Sequence, residues 1–67
     1  MAYKVMCFGG QLRMEAISKS FETAAEVVQF IEATRRMAGS TVEAAVTAPE
    51  SHPIFENELI SRASQGR

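Results

Sequence analysis

The chain has 67 residues, 46% hydrophobic and 22% charged, which bounds it to a single domain over 1–67 and excludes a disordered or low-complexity segment. Seven Lys and Arg against eight acids leave a formal charge of −1, so bulk attraction to nucleic acid or to an anionic membrane is excluded. All the acids are glutamate, and the lack of aspartate removes many metal-loop and phosphoryl-transfer constellations.

Cys7 is the only cysteine, so no intramolecular disulfide forms and a reducing compartment is expected. The apolar run before Gly9 is too short for a secretion signal, and nothing nears the roughly 18 apolar residues that span a bilayer. A cytoplasmic protein without membrane association is therefore expected.

The first element is read from "KVMCFGGQLRME". Placing Gly9 and Gly10 at the centre of a two-residue type I′ turn, where both positions need φ > 0, makes residues 3–21 a β-hairpin. Counting outward pairs Phe8 with Gln11, Cys7 with Leu12, Met6 with Arg13, Val5 with Met14, Lys4 with Glu15 and Tyr3 with Ala16. One face then collects Tyr3, Val5, Cys7, Leu12, Met14 and Ala16, and the other carries Lys4, Met6 and Phe8 with Arg13 and Glu15. A phase change after Ala16 predicts a bulge at Ala16 and Ile17.

Residues 23–38 are predicted to be helical. Thr23 followed by Glu26 is a capping box, Gly39 suits the position after the last turn, and Val27, Phe30, Ile31, Thr34, Met37 and Ala38 recur at helical spacing. Alternation of Val42, Ala44, Val46 and Ala48 against Thr41, Glu43, Ala45 and Thr47 predicts a strand over 41–48, stopped by Pro49. Residues 49–67 begin as a loop, with Pro53 acceptable in a first helical turn and Phe55 and Leu59 suggesting a short C-terminal helix before a frayed end.

The order strand, strand, helix, strand implies an α+β fold. A small three-stranded antiparallel sheet of order 2-1-3 carries the main helix on one face, a ββαβ arrangement. The expected core is Val5, Cys7, Leu12 and Met14 under Val27, Phe30 and Ile31.

The motifs favour structure over chemistry. A phosphate-cradling loop needs further glycines, a following helix and usually a lysine, whereas the glycine pair runs into a strand. Cys7 on a buried face behaves as a small hydrophobe, and one histidine, His52, with one cysteine cannot build a structural zinc site. Residue 2 is alanine, which excludes small enzymes that use an N-terminal proline. Glu56 with Glu58, and Glu43 with Glu50, read as solvated carboxylates. No catalytic residue, metal ligand or cofactor is expected.

What calls for explanation is the outer sheet face. Met6 and Phe8 point away from the helix beside Arg13, residue types enriched at interface centres. Two readings stand. Either Ile54, Phe55, Leu59 and Ile60 of the tail fold over this face, or Met6, Phe8 and Arg13 dock a protein partner or a second copy of the chain. The expected function is a non-enzymatic protein-binding module that occludes a partner's surface, an inhibitor or adaptor. Its size suggests the stand-alone genes of bacteria, their phages and mobile elements. The alternative is a small nucleic-acid-binding or regulatory protein using Lys4, Arg13 and Lys19 of the hairpin with Phe8 as a stacking ring.

Overall fold

Alternation of buried and exposed side chains defines strand β1, Tyr3–Phe8, in which Tyr3, Val5 and Cys7 point inward and Lys4, Met6 and Phe8 outward. The computed structural model describes residues 2–10 and 16–65. β1 is followed by β2 (Ile17–Phe21), helix α1 (Ala24–Ala38), β3 (Glu43–Thr47), β4 (Pro53–Ile54) and helix α2 (Glu56–Ser64). The fold is α+β, as expected, but its antiparallel sheet has four strands in the order β2-β1-β3-β4 rather than three. The expected order 2-1-3 is retained, with β4 added at the β3 edge.

β4 escapes notice in the sequence because it is two residues long, follows a turn containing Pro49 and itself begins with a proline. Ser51 N–H donates to Ala48 C=O at 2.9 Å, and Ala48 N–H to His52 C=O at 2.8 Å. Pro49 thus occupies the second position of a β-turn, and Ser51 follows at φ 69°, as in a turn that ends in one left-handed residue. Pro53 is not in a helical turn but on this edge strand, opposite Thr47, where a missing N–H is tolerated.

The two-residue hairpin turn is corrected. β1 pairs with residues 17–21, Cys7 opposite Ile17, Val5 opposite Lys19 and Tyr3 opposite Phe21, so β1 and β2 are not joined by a two-residue turn. Ala16, expected opposite Tyr3, is exposed and outside the ladder, so β2 begins where a bulge was expected. Gln11, Leu12, Arg13, Met14 and Glu15 lie outside the described residues. The observed register sets Ile17 and Phe21 on the helix side of the sheet, and the Phe21 ring lies 5.5 Å from that of Phe30. Lys19 lies between them, exposed on the sheet edge, where a charge discourages further strand pairing.

Gly9 and Gly10 do have positive φ, 83° and 56°, yet Gly10 serves a close approach instead of a tight hairpin. A Cβ there would stand 2.8 Å from both the Ala38 carbonyl oxygen and Val42 Cγ2. The chain therefore passes directly against the junction between α1 and β3.

Local signals set the limits of α1. Thr23 Oγ1 accepts from Glu26 N–H at 3.3 Å and donates to Glu26 Oε1 at 3.0 Å. At the other end Gly39, at φ 103° and ψ 158°, donates its N–H to Arg35 C=O, a conformation that only glycine adopts without strain. Ala24, Val27, Ile31, Thr34 and Ala38 form the buried stripe. Thr34 is accommodated because its hydroxyl donates to Phe30 C=O at 2.9 Å. Phe30 is only half-buried, and Met37, expected on the apolar stripe, is 75% exposed.

α2 joins α1 on the inner side of the sheet. Leu59 and Ile54 enter the core with Tyr3, Val5, Cys7, Val42, Val46 and Ala48, so α2 packs against α1 and not over the outer face. Phe55 does not share the buried stripe of Leu59, since it caps the helix from outside. Among the described residues no helix is long and apolar enough to cross a membrane.

Replacing Gly9 by Ala is expected to cost about 1–2 kcal/mol for its left-handed backbone, because its nearest neighbour, Thr41 O, would be in ordinary contact at 3.6 Å. Gly10→Ala should cost clearly more, since the added carbon strikes backbone. Urea unfolding of the two variants measures the difference; equal losses would remove the close approach as Gly10's role.

Candidate docking surface

Two side-chain clusters combine groups with chemical potential, and both are explained by folding. Cys7 is fully buried under α1. Burial pushes its thiol pKa up, against smaller opposing effects of the Thr34 hydroxyl and the Arg35 guanidinium. That is the reverse of the depressed pKa a nucleophilic thiolate needs. Arg35 itself is committed elsewhere. Its Nε donates to Val42 C=O at 3.0 Å and its Nη2 meets Glu56 Oε1 at 2.7 Å, and the bond to Glu56 raises the guanidinium pKa further. The pair ties the end of α1 to the start of both β3 and α2.

The second cluster surrounds Arg62. Its two terminal nitrogens donate to both Glu50 oxygens at 3.1 and 2.7 Å, Nη2 also donates to Glu58 at 2.7 Å, and Nη1 lies 3.4 Å from Tyr3 Oη. His52 Nε2 stands 3.4 Å from Glu50. Such bidentate pairing holds the Glu50 carboxyl down at about 2 and raises the Arg62 guanidinium. The network anchors α2 to the β3–β4 turn and to the first residue of β1. Among the described residues no group of three or more His, Cys, Asp or Glu side chains could hold a metal ion.

The outer face of the sheet is different in kind. Antiparallel register aligns its side chains in rows across the strands. Met6 lies between Ser18 and Ala45, Lys4 between Ser20 and Thr47, and Phe8 beside Glu43. Pro53 extends the Lys4 row through Thr47. Phe55 continues the extended backbone of β4 at φ −85° and ψ 162°, so the alternation that buries Ile54 sends Phe55 to the outer side, level with Ala45. The result is an apolar row, Met6, Ala45 and Phe55, with Phe8 diagonal to it. Met6 is 44% exposed, Phe8 38% and Phe55 87%.

Around Met6 the small side chains of β2 leave room. Lys4, Met6, Ser18, Ser20, Ala45 and Thr47, together with Val5 and Lys19 of the same two strands, line a shallow depression of about 340 Å³. A second, smaller depression of about 130 Å³ separates α1 from α2, but the Arg35–Glu56 ion pair borders it.

Of the residues expected to dock a partner, Met6 and Phe8 lie together on this face, and Arg13 lies outside the described residues. Lys19, expected beside Lys4, belongs to the opposite side, because it pairs with Val5. Ala45, Thr47 and Phe55 were not singled out as site residues from the sequence. The β3 alternation does place Ala45 and Thr47 outward, whereas Phe55 could be found only by recognising the two-residue strand before it. Comparisons with protein-family models, curated proteins and solved structures found no match to this chain.

The buried thiol should react slowly with a disulfide reagent in native buffer and quickly in denaturant; equal rates would place Cys7 at the surface. A pH series tests the Arg62 cluster. Glu50 has a lower pKa folded than the ordinary 4.5, so the stability it contributes is fully present above about 4.5 and is lost as pH falls through about 2. Glu50→Gln should accordingly be less stable than the parent at neutral pH, with the gap closing across that acidic window. Chemical unfolding followed by circular dichroism reads the gap, and a pH-independent difference would contradict the ion-pair account.

Proposed function

We propose that the chain is a non-enzymatic protein-binding module that works by covering a surface, as an inhibitor or adaptor does, and that the outer sheet face is what it docks with. The observation that carries this reading is the placement of both helices on one side of the sheet. Met6, Phe8 and Phe55 are left in water on the other side. Exposed apolar residues scattered singly need no explanation, but a row rimmed by Ser18, Ser20, Thr47, Lys4 and Glu43 has the apolar centre and polar rim of an interface.

The composition of the face favours protein over nucleic acid. Among the described residues its charged side chains are Lys4 and Glu43, one of each sign, whereas phosphate binding needs a cationic surface.

Affinity capture from cell lysate at low and high salt, with the parent and with a Met6→Ser, Phe8→Ser variant, tests the reading. The expected result is a protein retained at both salt concentrations and lost in the variant. The variant itself should stay folded, because both side chains are already in contact with solvent. Salt-sensitive recovery of nucleic acid, unaffected by the variant, would overturn the proposal.

A further inference from the structure

We infer, on the basis of the docking face proposed above, that its occupant is a second copy of this chain, in a two-fold dimer whose axis runs across the strands along the Met6–Ala45–Phe55 row, so that each Lys4 lies beside the partner's Glu43. The argument begins with the separation of the charges. Glu43 is opposite Phe8, at the far end of β1 from Lys4. With a rise of about 3.4 Å per residue the two are roughly 14 Å apart along the strands, too far to pair within the chain.

Two sheets stacked face to face lie about 10 Å apart, and a two-fold axis between them can run along the strands or across them. An axis along the strands keeps both lysines at the same end, facing Thr47 of the other copy, and leaves the glutamates together at the opposite end. An axis across the strands exchanges the ends. The Lys4 row then lies over the row of Phe8 and Glu43, placing the ammonium above the partner's Phe8 ring and next to the partner's Glu43, where both the cation–π attraction and the opposite charge favour it. Of the two, only the second arrangement brings the described charges of opposite sign, Lys4 and Glu43, together.

Residues on the axis meet their own counterparts, which an isologous interface tolerates only where they do not repel. Ser18, Met6, Ala45 and Phe55, the residues of that row, carry no charge. A partner with a uniformly charged surface would be attracted by one end of this face and repelled by the other. A copy of the face, turned about this axis, satisfies both ends and is closed, so it produces dimers and not fibres.

Sedimentation equilibrium of the parent, Lys4→Glu, Glu43→Lys and the double reversal tests the proposal, with circular dichroism showing that each variant is folded. Each single reversal brings like charges together twice per dimer and should weaken association about tenfold, and the double reversal should restore it to within about threefold. Phe55→Ser should also weaken it. A parent still monomeric at about 1 mM overturns the inference, as does a dimer indifferent to the single reversals or not rescued by the double one. If the chain is monomeric yet captures another protein in a Met6- and Phe8-dependent way, the dimer alone fails; if capture is indifferent to those residues, the docking face fails with it.

Discussion

Everything in this fold is hung on the alternation of β1, which is hydrogen-bonded on both sides, to β2 and to β3. Its six residues can send only Tyr3, Val5 and Cys7 toward the helices, and they must send Lys4, Met6 and Phe8 the other way. A one-residue slip of β1 against β3 would expose the first set and bury the lysine. The helices then pack where the apolar set points. Val27 and Ile31 of α1 and Leu59 of α2 meet the same inner side, which leaves nothing from the described helices to cover the outer one.

A chain this short buries only about 60% of its unfolded surface, so each segment must add to the single core. α2 does so through one fully buried leucine, Leu59, whose truncation would cost about 2–5 kcal/mol. Ala63 packs against the same core, and polar contacts complete the attachment. Arg62 reaches Glu50, Glu58 and Tyr3, and Glu56 reaches Arg35. These contacts lie at both ends of the helix, fixing its direction as well as its position. They also explain why Phe55 stands in water: the strand that delivers Ile54 inward reaches α2 one residue later, on the opposite parity.

Legibility in the sequence followed the length and redundancy of each signal. α1 was readable because a cap, a periodic stripe and a terminal glycine agreed, and β3 because its alternation is bounded by the helix and a proline. The main errors have separate causes. A glycine pair with positive φ is compatible with a tight hairpin and with a close approach to a helix end, and the residues that distinguish these, Ala38 and Val42, are distant in sequence. β4 is too short to show any periodicity. Met37 fits the helical stripe by spacing, but in the last turn of α1 the neighbouring Ala38 takes the buried position and Met37 stays exposed.

The hairpin error matters less for the site than its size suggests. The parity of Met6 and Phe8 belongs to β1 itself, and the pairing of β1 with β3 preserves it whatever register β2 adopts. What the register does decide is which β2 residues share the face. Met6 faces Ser18 where Arg13 was expected, Lys4 faces Ser20 where Glu15 was expected, and Lys19 turns to the helix side beside Val5. Two small hydroxyl side chains thus stand on the β2 flank of Met6, opening the depression there, while Lys19 shares the Val5 row. Among the described residues the face is an apolar row with Lys4 towards one end and Glu43 towards the other. That distribution is complementary to its own image rotated across the strands, and the chain acquires it from register, not from composition.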